Sequence, residues 1–152
     1  MCQRVYVACR GALPTVRRGA QSPFLEVQVA PPVPHIRGFL QLDLPNVYLA
    51  GGHVVCGCGF PDLFGDDVVR AAPIGEADVQ SLRALVEWLR PAVEGHKTAR
   101  LYLCWPHRQH DPPQGERTVT VTQMLEAGFR LRHHEILTIG SVGEPRRRPT
   151  KG

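Results

Sequence analysis

Residues 46–61, NVYLAGGHVVCGCGFP, combine a strand with the densest group of potential ligands in the chain. Val47, Tyr48, Leu49 and Ala50 are apolar on both faces, which is the pattern of a central strand. Gly51 and Gly52 then break the run. Val54 and Val55 can resume a short strand, and Gly57 and Gly59 flank Cys58. The turn therefore carries few Cβ atoms, so a metal, a ligand or another backbone can come close. Cys56 and Cys58 stand one residue apart, a poor spacing for a bond between them. They can still face one cation together with His53. The spacing His-x2-Cys-x-Cys is compatible with zinc, although paired structural ligands are usually two to four residues apart. The competing reading is a tight turn whose cysteines are small buried hydrophobes.

Working outward, the flanking segments predict a mixed sheet. Arg4–Arg10 reads as the first strand, with Val5 and Val7 facing one way and Tyr6 and Ala8 the other. Phe24–Ala30 reads as the second, with Leu25, Val27 and Val29 inward and Glu26 and Gln28 toward water. The first two strands are expected to form a hairpin-like pair. Pro31, Pro32 and Pro34 forbid regular structure, and residues 36–44 receive no assignment. Residues 61–73 are predicted to be a loop with at most one helical turn.

Glu76–Arg90 carries the clearest helical period. Val79, Leu82, Val86, Leu89 and Val93 form one apolar stripe, which Trp88 extends. Glu76 and Asp78 suit the positive end of the helix dipole, and Pro91 and Gly95 mark the expected stop. Arg100–Trp105 reads as a further central strand, ended by Pro106, and residues 107–116 as a polar loop. Thr120-x-x-Gln123 fits a capping box for a short helix that Gly128 closes. Phe129–Ile139 reads as the last strand, with its alternation shifting near Glu135.

The fold class expected is thus α/β or α+β, a single-layer mixed sheet of about five strands with one long and one short helix. Residues 1–142 form one globular domain, and residues 143–152, GEPRRRPTKG, a basic tail expected to be disordered. The strand-helix alternation of the second half favours parallel strands joined by crossovers. Strands at Val47 and Leu101 should then run parallel as near neighbours, with their following loops at one end of the sheet, where ligands bind in such folds. That places His107, His110 and Asp111 opposite His53, Cys56 and Cys58. Cys104 should lie closer to the glycine turn than Cys2 does.

Composition narrows the function classes. The chain has 152 residues and is 43% apolar, ordinary for one globular domain. Much of the net charge of +4 comes from Arg146, Arg147, Arg148 and Lys151, so nucleic-acid binding is supported only through the tail. Five cysteines, an odd number with no apolar leader before them, argue for reduced thiols and a cytoplasmic location. No apolar run is long enough to span a bilayer.

The candidate ligands of a zinc site are His53, Cys56 and Cys58, with His107 and His110 from the neighbouring loop; thiolates and imidazoles suit that ion. The alternatives are thiol redox or nucleophilic chemistry at Cys58, its pKa lowered by the glycine-rich turn, and a non-enzymatic interaction or regulatory module. Cys2 is a second nucleophile candidate. Removal of Met1 would leave a cysteine with a free α-amine, which resembles the start of the class II glutamine amidotransferases.

The opening MCQRVYVACRGALP, the central VYLAGGHVVCGCGF and the pair Cys104–Trp105 together resemble a group of small uncharacterised bacterial proteins. Members begin with Met-Cys and carry a Gly-Cys-Gly-Phe element after a strand. The resemblance spans most of the chain and implies no activity. It implies that Cys2, Cys58 and Trp105 belong to a shared pattern, and that WPHRQHDPPQGER, with His107 and His110, is a local departure from it.

Overall fold

The computed structural model describes residues 3–31, 36, 38, 44–54, 59–63, 73–96, 98–108 and 111–140. The elements in chain order are β1 (Arg4–Cys9), β2 (Glu26–Val29), β3 (Asn46–Gly51), β4 (Asp62–Leu63), α1 (Glu76–His96), β5 (Thr98–Cys104), a 3-10 turn (Pro106–Arg108), β6 (Gly115–Thr120), α2 (Val121–Met124), β7 (Leu131–Arg132) and β8 (Glu135–Gly140). Six strands form one mixed sheet in the order β2-β3-β1-β5-β8-β6, and β4 pairs with β7 in a small parallel ribbon. This is an α+β single-sheet architecture, with one long and one short α-helix among the fully described elements. No helix among the described residues is long and apolar enough to cross a membrane.

The two periods of the sequence build two packed faces. Val5, Val7 and Cys9 of β1, Tyr48 and Ala50 of β3, and Leu101 and Leu103 of β5 join Leu82, Leu85, Val86, Leu89 and Val93 of α1 in one buried cluster. The intervening residues Tyr6, Ala8, Val47, Tyr102 and Cys104 cover the other face, with Ile36 and Leu44 packed against them. The unassigned stretch before β3 thus contributes two residues to a second core. Tyr48 meets Trp88 edge-on, with ring centroids 5.2 Å apart, and the indole Nε1 donates to the carbonyl of Pro14 at 2.7 Å.

Several expectations are corrected. β1 and β2 do not form a hairpin. β1 is buried along almost its whole length and takes β3 on one side and β5 on the other, both antiparallel. That leaves β2 to pair with the far side of β3, at the edge, where Val29 stands 68% exposed. β3 and β5 do run in the same direction, each opposed to β1, but β1 lies between them. Adjacent strands of the sheet are therefore mostly antiparallel. Its one parallel pair is β6 with β8.

The helix does not stop at Pro91. It continues to His96 because Ala92 and Val93, just past the proline, are buried and extend the stripe, while Pro91 itself faces water. Burial of Ala92 and Val93 outweighs the hydrogen bond that proline cannot make.

β6, which begins at Gly115 in the last two residues of the loop expected over 107–116, was not expected. Arg117 there pairs with Glu135 at 2.9 Å and lies over the Phe129 ring at 5.1 Å, while Val119 is buried. The loop expected after Pro61 begins instead with the two residues of β4. The capping box forms as the sequence indicates: Gln123 N–H donates to Thr120 Oγ1 at 3.1 Å, and Thr120 N–H donates to Gln123 Oε1 at 2.9 Å. The expected last strand is split into β7 and β8 at His134, whose φ of 59° turns the chain where the alternation shifts. The basic tail expected over residues 143–152 lies outside the described residues.

Candidate metal centre

The site begins at the C-terminal end of β3. Val5 of β1 faces Ala50 on one side and Leu103 on the other, so the ends of β3 and β5 are level. Two strand spacings, roughly 9 to 10 Å, separate them. The loops after both strands leave the same end of the sheet, as the sequence indicates. Pro106–Arg108, the turn after β5, carries the backbone of His107. Cys2, Cys56, Cys58, His110 and the side chain of His107 lie outside the described residues. The distance comparison between Cys104 and Cys2 falls there too.

His53 is held from several directions. Its backbone N–H donates to Ser81 Oγ at 2.8 Å, and its ring Nδ1 lies 3.1 Å from the carbonyl of Gly59 and 3.2 Å from the same serine oxygen. A carbonyl can only accept, so Nδ1 carries the proton and Nε2 of the neutral ring keeps its lone pair. Nε2 lies 3.6 Å from Asp78 Oδ1 on the first turn of α1. The other carboxylate oxygen of Asp78 accepts from Gly75 N–H at 3.2 Å.

The loop 53–58 is closed at its base. Gly52 and Gly59 pack backbone to backbone: a Cβ on Gly52 would stand 2.8 Å from both the carbonyl carbon and oxygen of Gly59. Arg18 clamps the entrance, one guanidinium nitrogen donating at 2.5 Å to the carbonyls of Gly52 and Val54. Phe60, 1% exposed, anchors the return in the helix-side core. Cys58 is bonded directly to Gly59, whose carbonyl orients the His53 ring. Arg18, itself 3.9 Å from Glu26, and the N-terminal turn of α1, which carries Glu76 and Asp78, thus flank the described ends of this loop.

Ser81, His53 and Asp78 contain the groups of a serine-hydrolase triad but not its geometry. Ser81 is 0% exposed and its oxygen already accepts the His53 N–H. A hydroxyl so placed cannot reach a substrate carbonyl; it is a positioning group.

The two described cysteines are chemically quiet. Burial pushes both the Cys9 and Cys104 thiols up to about 11. Cys104 also sits on the sheet face opposite α1, in the cluster with Tyr6 and Tyr102. It therefore shares the end of the sheet with His53 but not the face, because successive residues of β5 alternate.

A second polar cluster lies around β4 and β7. Asp62 Oδ2 accepts from Gln3 Nε2 at 2.7 Å and contacts His133 Nε2 at 3.1 Å, and the Trp105 ring lies 5.1 Å from the His133 ring. Burial pushes the Asp62 carboxyl up, but the hydrogen bonds from His133 and Gln3 and the charges of His133 and Arg130 outweigh it, so it titrates below the usual range. A lowered folded pKa stabilises the fold above the ordinary aspartate value of 3.8. That contribution is lost as pH falls through the folded value. The stability gap between the native chain and Asp62→Asn, followed by urea melts, is expected to be constant at neutral pH and to shrink below about pH 4. A gap that stays constant down to pH 3 would show that the pair contributes nothing through ionisation.

Among the described residues, no three His, Cys, Asp or Glu side chains gather at metal-binding distance. His53 is the one sequence-named ligand whose side chain is placed. Ser81, Asp78, Arg18 and Gly59 were not legible as site residues. A serine on the otherwise apolar side of an amphipathic helix was the available signal for Ser81. No family model matches the chain, and neither a curated protein nor a solved structure matches it.

Proposed function

We propose that the chain is a zinc-binding protein, its ion held at the loop 53–58 by His53 Nε2 together with Cys56 and Cys58. The observation that supports this most is the Nδ1 contact with the Gly59 carbonyl. Histidine ligands are commonly fixed in this way, the outer nitrogen donating to a carbonyl and the inner one aimed at the metal. The ligand set of two thiolates and an imidazole suits zinc. The closed base of the loop supplies the preorganisation.

The test uses the whole chain without a histidine tag, thiols reduced. About one equivalent of zinc is expected to stay bound through gel filtration. Saturation at about a thousand times Kd adds about 4 kcal/mol of stability, raising the melting midpoint by on the order of 10 °C. Thiol counting adds a second readout. Because Cys9 and Cys104 are buried and pushed up to about 11, no more than the other three cysteines should react rapidly in the native zinc-free chain, and zinc should protect two of them. Retention of less than about a tenth of an equivalent, with no protection, would sink the reading.

A second reading is a nucleophilic or redox thiolate at Cys58, its pKa lowered by the amides of the glycine-rich turn. It expects one thiol of the zinc-free chain to react with iodoacetamide near neutral pH much faster than the rest, and that thiol to be Cys58. Equal, slow labelling of the reactive set would count against it.

A further inference from the structure

We propose that the cavity between α1 and the turn after α2 binds a free aromatic amino acid, with its ring on the apolar floor and its two charged groups on Arg83 and Glu126. The cavity measures about 270 Å3 and shares no lining residue with the loop 53–58, so this site is independent of the zinc reading. Leu82 and Met124, 5% and 0% exposed, close its floor, and Phe129 lines it as well. An apolar cavity of about 150 Å3 already holds benzene, so this one has room for a ring and the groups it carries. The Met124 thioether and the Phe129 ring favour an aromatic occupant, because sulfur–aromatic and ring–ring contacts add to simple burial. Arg117 lies over Phe129 at 5.1 Å and holds that ring in place.

The charges of the lining select the ligand. Arg83 and Glu126 are its charged residues, and both are exposed. Among the described residues neither side chain has an ion-pair or hydrogen-bond partner, and the two do not pair with each other. Either one alone is an ordinary solvated charge. Together they set opposite charges, left apart, on the lining of one apolar cavity. A bare carboxylate gains from Arg83 but is repelled by Glu126, and a bare amine meets the reverse. A zwitterion with an apolar side chain suits both charges and buries its ring. That is the usual division of a small-molecule site into an apolar lining and a few polar groups. The entrance is open and apolar: Gly128 has no atom within 4 Å of an added Cβ, and Leu125 stands 39% exposed.

The test titrates L-phenylalanine, 3-phenylpropionate and phenethylamine into the full-length chain and follows the backbone amides of residues 125–128 by two-dimensional NMR. L-phenylalanine is expected to bind with a Kd of about 1 mM or tighter. The two analogues, which lack the amine and the carboxylate respectively, should each bind at least about tenfold more weakly. Two variants then assign the charges. Arg83→Gln should weaken L-phenylalanine and phenylpropionate but leave phenethylamine unchanged. Glu126→Gln should weaken L-phenylalanine and phenethylamine but leave phenylpropionate unchanged. A merely structural role would weaken all three ligands alike. Both residues are exposed, so the variants keep the fold, and the native chain with its three ligands tests the proposal without them. Equal affinity for the three ligands, or no shift of these amides at about ten times the expected Kd of L-phenylalanine, would overturn it. Phenylpropionate binding more tightly than L-phenylalanine would also overturn it and make the cavity a site for apolar carboxylates.

Discussion

Phe60→Ala is expected to cost about 3 to 5 kcal/mol of stability, the range for deleting a fully buried phenylalanine. For a chain of this size the melting midpoint should fall by roughly 6 to 20 °C. Phe60 is 1% exposed in the helix-side core, and it follows directly the glycine whose carbonyl holds the His53 ring. Its ring is the weight that keeps the returning arm of the loop seated. Pro61, the next residue, accepts Leu131 N–H at 2.8 Å and so leads into the β4–β7 ribbon. If the proposed zinc site exists, the substitution should weaken zinc retention as well as stability, because the Gly59 carbonyl loses its fixed place. Val29→Ala, at a position 68% exposed on the sheet edge, is the comparison and should change stability by less than about 0.5 kcal/mol. A Phe60→Ala midpoint within about 2 °C of native would show that the loop does not depend on this anchor.

The parts of the fold that were legible in the sequence are those whose cause is local. The stripe from Val79 to Val93, the capping box at Thr120 and the apolar runs at Val5, Val47 and Leu101 each depend on neighbours a few residues away. What was not legible is pairing. Whether β1 accepts β2 or β3 on its free side is decided by which strand can be buried on both faces, and β2, with Gln28 and Val29 exposed, cannot. The short parallel ribbon of β4 and β7 joins segments nearly seventy residues apart and has too few residues to show a period. Pro91 misled for the opposite reason: a strong local stop was overruled by burial of Ala92 and Val93.

The site divides in the same way. His53 was legible from its place after a strand and beside two cysteines. Asp78 was legible only as a helix-start acid, since nothing local says that its first turn will face the end of β3. That the loops after β3 and β5 leave the same end was readable from strand direction; that β1 lies between the two strands was not. The separation of Cys104 onto the opposite face was not, because it needed the register of β5 against β1. Among the glycines, the sequence showed a turn rich in them but not which two meet.

Gly52→Ala and Gly59→Ala test that meeting, and each is expected to cost about 2 to 4 kcal/mol. A Cβ on Gly59 would stand 2.8 Å from His53 N and 2.9 Å from Gly52 Cα; one on Gly52 would stand 2.8 Å from the Gly59 carbonyl. The atoms met are backbone on both sides, so no side chain can swing away. Neither glycine has a positive φ, so the obstacle is space and not conformation. Overpacking of this kind costs about 1 to 3 kcal/mol. Moving the two arms apart also strains the His53 contacts with Ser81 and Gly59, each worth about 1 kcal/mol. Gly95→Ala is the opposite case. It lies in α1 with nothing within 4 Å of its added carbon, and should raise stability by about 0.4 to 1 kcal/mol. Urea melts measure all three. The double variant Gly52→Ala/Gly59→Ala is the sharper measurement. Once one added carbon has forced the arms apart, the second meets a gap already opened, so the two costs should fall short of additivity by about 1 kcal/mol or more. Strict additivity would mean that the two glycines do not touch, and the loop would lose its closed base.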